Sequence, residues 1–292
     1  MAEVEREEAG QDACALRPGR QREVVTGSGH DFSTVTEVPG LLVTREALAM
    51  MVTRYRLARS LGEGKDVLEV ACGSGQGLGL VAAGARSLVA GDYSEPLLRA
   101  ARRHYGHRVP LIRLDAHRLP FRAASFDVVV LFEAIYYLHE PAQFLREAAR
   151  VLRPGGRVLI CSANPRWAGF HPSPYSVRYY DSEDLRALLH RSGFMPELYG
   201  AFAADAGSRT ARWLAYAKRV AGRLHLIPRT MAGKVWLKRL VYRALVPVPA
   251  ELEEGIAEGA PLVRLHGGEE ARRFKVLYAV GTRAQDGAGQ GP

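Results

Sequence analysis

Over its first two hundred residues the chain alternates between short apolar runs and amphipathic stretches. Asp66–Ala71, Ser87–Gly91, Val109–Leu114, Phe126–Phe132 and Arg157–Cys161 are nearly continuous apolar runs rich in Val, Leu and Ile. Runs of that length suit strands buried on both faces. Between them, apolar residues fall at helical spacing. Leu48, Met51, Val52, Tyr55 and Ala58 mark a helix within Leu41–Leu61, ended by Gly62 and Gly64, and Ser94–Tyr105 and Pro141–Leu152 keep the same period. Arg153-Pro154-Gly155-Gly156 predicts a turn that stops the third helix and launches the next strand. Beyond it the pattern predicts a helix over Ser182–His190, with Ser182 as N-cap and Asp184 in the first turn, and strands over Glu197–Phe202 and Phe274–Val280. The alternation predicts an α/β fold with a doubly wound, mostly parallel sheet of seven strands.

Other features divide the 292 residues further. Residues 1–40 are a polar, glycine-punctuated tail, 41–202 together with 272–284 form the α/β core, and 203–271 interrupt the pattern. Of forty basic residues only five are Lys, and the net charge is +9. Ten of the basic residues lie between Ala206 and Ala250, where there is no Asp or Glu. Subtracting those ten leaves the remaining chain at −1, so the excess is local. Within that stretch Trp213, Leu214, Ala217, Val220 and Leu224, then Val235, Trp236, Leu240, Val241 and Leu245, predict two basic amphipathic helices separated near Pro228. Cys14, Cys72 and Cys161 are odd in number and far apart, which argues against a disulfide scaffold or a zinc module. The acidic start and the lack of a long apolar run lead to the expectation of a cytoplasmic protein.

The candidate chemistry begins at Val67-Leu68-Glu69-Val70-Ala71-Cys72-Gly73-Ser74-Gly75-Gln76-Gly77, a strand running into a glycine turn. Glycines allow a sharp turn and a close backbone approach by a ligand. The spacing departs from the dinucleotide fingerprint, because position six of that pattern is Leu78 rather than glycine. A nicotinamide dehydrogenase is therefore a weaker reading. No GxxxxGK followed by Ser or Thr is present, which excludes a P-loop. Asp92 ends the next predicted strand, placed to accept from ribose hydroxyls, and Asp115 ends the third, placed to accept from an exocyclic amine. Together with Glu69 they describe an adenosine pocket without a pyrophosphate cradle.

Five segments carry a resemblance: Glu69-x-Ala71-Cys72-Gly73-x-Gly75-x-Gly77, Gly91-Asp92-Tyr93-Ser94, Asp115-Ala116-x-x-Leu119-Pro120-Phe121, Phe126-Asp127-Val128-Val129 and Leu152-Arg153-Pro154-Gly155-Gly156. In order and spacing they closely resemble the class I S-adenosylmethionine (AdoMet)-dependent methyltransferases, over roughly residues 45 to 200. The resemblance implies a Rossmann-like fold and S-adenosyl-L-methionine as cofactor. It implies that Glu69 and the backbone of Ala71, Gly73 and Gly75 hold the methionine portion. It further implies that Asp92 binds the ribose, that Tyr93 flanks the adenine, and that Asp115 with Ala116 reads the adenine amine. Phe132 and Glu133 would line the cofactor, and Arg54 would meet its carboxylate.

The acceptor is less legible. The Asn- or Asp-Pro-Pro-Tyr/Phe tetrapeptide of many nucleobase-amine methyltransferases is absent after Phe132, which disfavours that acceptor class. His139, in the segment Glu133–Pro141, is a candidate general base, with His171 in the following Pro- and aromatic-rich loop as the alternative. No nucleic-acid-binding module is recognisable. The expectation is a small or lipid-linked acceptor methylated at oxygen, in secondary-metabolite or glycan biosynthesis, with N- or C-methylation or a non-catalytic AdoMet-binding adaptor as alternatives. The basic stretch 209–245 would cap the acceptor pocket or touch an anionic membrane.

Overall fold

The computed structural model describes residues 32–204 and 245–284. Residues 1–31 of the predicted tail and all but the last position of the two basic helices expected within 209–245 lie outside the described residues; that last position, Leu245, is in a strand rather than a helix. In chain order the elements are β1 (Leu42–Thr44), α1 (Arg45–Gly62), β2 (Asp66–Val70), α2 (Leu78–Ala82), β3 (Ser87–Asp92), α3 (Glu95–Tyr105), β4 (Leu111–Arg113), β5 (Phe126–Phe132), α4 (Pro141–Val151) and β6 (Leu152–Ala163). They continue with α5 (Ser182–Arg191), β7 (Phe194–Ala203), β8 (Leu245–Pro247), β9 (Val263–Arg264), α6 (Gly268–Ala271) and β10 (Phe274–Arg283).

The main sheet has the order β4-β3-β2-β5-β6-β10-β7-β9. Its first five strands are parallel, and β10 is antiparallel to both neighbours, β6 and β7. The eighth strand, beyond the seven expected, is the two-residue β9 on the β7 edge. β5 shows why the sheet must be covered twice. Val128 and Val130 enter one core with Met51, Val52 and Tyr55 of α1, while Val129 and Leu131 enter the other with Phe144 and Leu145 of α4. Side chains alternate across a strand, so a continuous apolar run supplies both faces.

Local chemistry sets the boundaries. Thr44 caps α1, its side chain accepting from the Ala47 N–H at 3.1 Å. For α5 the N-cap is Asp181, one residue before the expected Ser182; its carboxylate accepts from the Glu183 and Asp184 N–H groups, and Asp184 completes a capping box. Residues Arg153–Gly156 form an irregularity within β6: pairing with β5 jumps from Phe126–Leu152 to Val128–Arg157. Asp127 sits at the opposite end of the sheet from the carboxyl ends of β2 and β5, where it accepts from the Asp66 N–H and pairs with Arg86 and Arg153. That network, led by the Arg86 hydrogen bond, holds Asp66 down to about 2.

The described part of the 203–271 stretch is mostly coil with short strands. β8 pairs antiparallel with β1, and the coil after it reaches the glycine turn, where the Leu252 N–H donates to the Gln76 carbonyl at 2.6 Å.

Candidate active site

Strand order reverses at β2: the chain moves outward through β3 and β4, then returns to place β5 on the other side. At such a reversal the carboxyl ends of neighbouring strands leave a crevice. A cavity of about 510 Å³ opens there, walled by the ends of β2, β3 and β5, by α1, and by residues 32–37.

The turn after β2 is held in left-handed backbone at Gly73 (φ +59°) and Gly75 (φ +83°), and also at Ala71 (φ +59°). Gly77 is required for a different reason. A Cβ there would lie 2.2 Å from the Tyr55 ring. Asp92, 7% exposed, locks the turn, with Oδ2 accepting from the Gly73 N–H at 2.8 Å and Oδ1 from the Ser94 N–H at 2.7 Å. Burial raises its pKa, against those two N–H groups.

Most of the expected cofactor residues meet at this cavity. Ala71, Gly73, Asp92 and Tyr93 border it from one side, Asp115 and Ala116 from just beyond β4, and Phe132, Glu133 and Arg54 from the other. Asp115 is tied to His117: its Oδ1 accepts from the His117 N–H at 2.9 Å and faces Nδ1 at 2.8 Å. The hydrogen bond from His117 lowers the Asp115 pKa and raises that of His117.

Two expected residues stand behind the wall. Glu69 is 1% exposed, and its Oε1 accepts from the Tyr55 hydroxyl at 2.7 Å, so Tyr55 borders the cavity in its place. Burial pushes Glu69 up to about 7, opposed by the Tyr55 hydrogen bond and Arg54. Gly75 is also set back, its carbonyl accepting from the Tyr105 hydroxyl at 2.7 Å. The two base candidates separate. His139 is exposed on the cavity rim, whereas His171 is exposed and does not border it.

Arg54 marks a place for an anion. Its only ion pair among the described residues is with Glu37 at 3.9 Å, and its Nε is buried without a hydrogen-bond partner. The Tyr55 and Phe132 rings lie 5.7 and 5.9 Å from the guanidinium carbon.

Sequence reasoning missed Tyr55, Glu37, Gln76 and His117. Tyr55 occupies an apolar-stripe position whose hydroxyl carries no periodic signal. Gln76, inside the glycine turn, was the readable one: its side chain donates to the Glu37 carbonyl and fastens residues 32–37 over the turn.

Residues 68–160 match a family model described as a methyltransferase domain. Over that stretch the chain resembles methyltransferase domains. A protein named "Probable S-adenosylmethionine-dependent methyltransferase" from Mycobacterium tuberculosis is 37% identical over 137 residues, 45% of this chain and 49% of that protein. A demethylmenaquinone methyltransferase from Clavibacter sepedonicus is 37% identical over 103 residues, 35% of this chain and 41% of that protein. The solved structure of a SAM-dependent methyltransferase from Thermotoga maritima superposes with a TM-score of 0.51 at 15% identity, over 82% of this chain and 93% of that one, a likeness of fold. The chain spans about half the length of the curated relatives it matches.

The residues around the cavity fit AdoMet. An unpartnered guanidinium N–H suits a carboxylate, a buried Asp on the turn suits a vicinal diol, and the cavity has room for a nucleoside.

Proposed function

We propose that the chain is an AdoMet-dependent methyltransferase acting on a small or lipid-linked acceptor, at a hydroxyl oxygen. One observation carries the reading: Asp92, Asp115 and Arg54, whose Nε has no hydrogen-bond partner, border a single cavity at the strand reversal. In this reading Asp92 accepts from the ribose, Asp115 and Ala116 meet the adenine, Tyr93 flanks it, and Arg54 takes the methionine carboxylate. Ala71 and Gly73 bring backbone close to the ligand, while Glu69 acts from behind through Tyr55 and Gly75 shapes the turn. AdoMet supplies a methyl group on a sulfonium centre. The chain's contribution is to hold the acceptor in line with that group and to take up a proton where the acceptor carries one. Phe32, Tyr137, Trp167 and Ser173 provide an amphipathic wall for the acceptor at the other end of the cavity.

The name of the Clavibacter relative supports a lipid-linked acceptor. So does the cationic stretch 209–245, which would bring the protein to an anionic membrane or a phosphate-bearing acceptor. No helix among the described residues is long and apolar enough to cross a membrane. Secondary-metabolite or glycan biosynthesis is the setting this reading favours.

Calorimetry with S-adenosylhomocysteine tests the reading. One equivalent should bind, and Asp92→Ala should weaken binding at least about tenfold, because two charge-assisted contacts are lost. Unchanged affinity in the variant would sink the ribose assignment. Sedimentation with anionic and neutral vesicles at low and high salt tests the membrane contact, which predicts binding to anionic vesicles alone that weakens as salt rises.

A further inference from the structure

Glu133 is an outlier among the cavity residues. It directly follows β5, in left-handed backbone (φ +49°) that a non-glycine residue rarely adopts. Strained backbone of this kind persists where its surroundings over-determine it, and it clusters at functional sites. The surroundings here are specific. Oε2 accepts from the Tyr136 hydroxyl at 3.2 Å and the Ala163 N–H at 3.3 Å. Oε1 has one weak donor among the described residues, the Cys161 thiol at 3.6 Å. One oxygen is thus anchored by two donors while the other keeps capacity for a ligand proton.

Its place in the sheet adds a direction. Asp92 and Asp115 lie at the ends of β3 and just beyond β4, on one side of the glycine turn. Glu133 lies on the other side, at the end of β5, next to Ala163 at the end of β6 and to the aromatic wall of Tyr136 and Tyr137. An in-line transfer needs the acceptor opposite the departing group, on the side away from the nucleoside. His139, by contrast, is exposed on the rim.

We infer that Glu133 is the catalytic base, receiving the proton of an acceptor hydroxyl at Oε1. This rests on the methyltransferase reading above. The acceptor oxygen forms its bond to the methyl carbon as the carbon–sulfur bond breaks, with that electron pair passing to sulfur. The O–H electron pair stays on oxygen, and the proton passes to the carboxylate and later to solvent. A carboxylate and a sulfonium are neutralised together, a change that a poorly solvated cavity favours. Burial, which raises the Glu133 pKa against the pull of Arg54, strengthens its grip on that proton.

The test needs no identified acceptor. Sinefungin carries an ammonium group where AdoMet carries its methyl sulfonium, and S-adenosylhomocysteine carries neither. A base that faces the methyl should pair with that ammonium. The parent protein should bind sinefungin about tenfold or more tightly than S-adenosylhomocysteine, and Glu133→Gln should bring the two within about threefold, chiefly by weakening sinefungin. A sinefungin preference that survives in Glu133→Gln would overturn the assignment. So would a collapse of S-adenosylhomocysteine affinity, because Glu133 would then be holding the cofactor. If thermal melts show Glu133→Gln unfolded, Glu133→Asp carries the test, with the preference expected to fall at least threefold as the carboxylate withdraws and an unchanged preference counting against the base. A parent protein that binds neither compound would overturn the methyltransferase reading itself, and this assignment with it.

Discussion

The two ends of the cavity are built in different ways. At the nucleoside end, each functional group sits at or just beyond a strand end, and its position follows from strand register: Asp92 closes β3, Asp115 follows β4 and the turn follows β2. At the other end the wall is side chains from loops. Tyr136 stacks on Tyr179 at 4.3 Å, Phe32 meets Tyr137 edge-on at 5.3 Å, and Phe170 meets Tyr179 at 4.6 Å. The first end is specified by backbone and glycine and tolerates almost no added volume. The second is specified by mutual packing of large rings, which can be re-cut one residue at a time to suit a different acceptor.

The largest effect should come from adding one carbon to the rigid end. Gly77→Ala forces a Cβ into the Tyr55 ring, and Tyr55 in turn holds Glu69. We expect a loss of about 3 kcal/mol in urea unfolding, with binding of S-adenosylhomocysteine abolished. A fully stable, binding-competent Gly77→Ala would show that this end yields as readily as the other.

A comparable effect should appear as a dependence on pH. Glu69 titrates at about 7 when folded, against 4.5 ordinarily. Below 4.5 both folded and unfolded chains hold this proton. As pH rises towards 7 only the unfolded chain releases it, so stability falls across that window. The drop amounts to about 3 kcal/mol, at roughly 1.4 kcal/mol per pH unit. Asp92 and Glu133 are shifted in the same direction, whereas Asp66, held down by Arg86, acts only at more acidic pH. Urea midpoints at pH 5 and pH 7.5 should differ in the parent, and the difference should shrink in Glu69→Gln to the part owed to Asp92 and Glu133. An equal difference in both proteins would assign the titration to another buried carboxyl.

How much of this was legible follows the same division. The strand runs, the glycine turn, Asp92 and Asp115 could be placed because an apolar run that ends in a polar residue fixes where that residue emerges. Glu69 was found but its setting was not. Nothing in a one-dimensional pattern shows that the Tyr55 hydroxyl comes between Glu69 and the cavity. The candidate bases are a harder case, because loops carry no periodicity. His139 and His171 look alike in sequence, yet the structure separates them by cavity access, and Glu133, read as a lining residue, has the more specific surroundings.

The loop-built end should answer more gently. Tyr137→Phe removes a hydroxyl that shares a 2.7 Å hydrogen bond with Ser173, which should cost about 1 kcal/mol and leave S-adenosylhomocysteine affinity within twofold. An affinity loss beyond tenfold would mean that the two ends are coupled. Lys275→Met should do least. It removes an ion pair with Glu46 at 2.7 Å and a contact with the Trp167 ring at 5.6 Å, at a cost below about 1 kcal/mol in thermal melts.

The clamp on the glycine turn also has a bearing on the order of events during synthesis. The residues that face the cavity from β2, β3 and β5, with Asp92 that locks the turn, have all been made by the time His139 is added, but a second set of groups that fasten the turn comes more than a hundred residues later. The Leu252 N–H secures Gln76, and Glu251 lies against Gly79 while bonding to His104 and Arg108. Strand β10, between β6 and β7, is added later still. Such distant pairings are slow to close, because a long loop must be ordered before any contact rewards it. A nascent chain therefore exposes its nucleoside pocket for more than a hundred residues of synthesis with the turn held by Asp92 and Tyr105, and ligand arriving early would meet a turn with only part of its support.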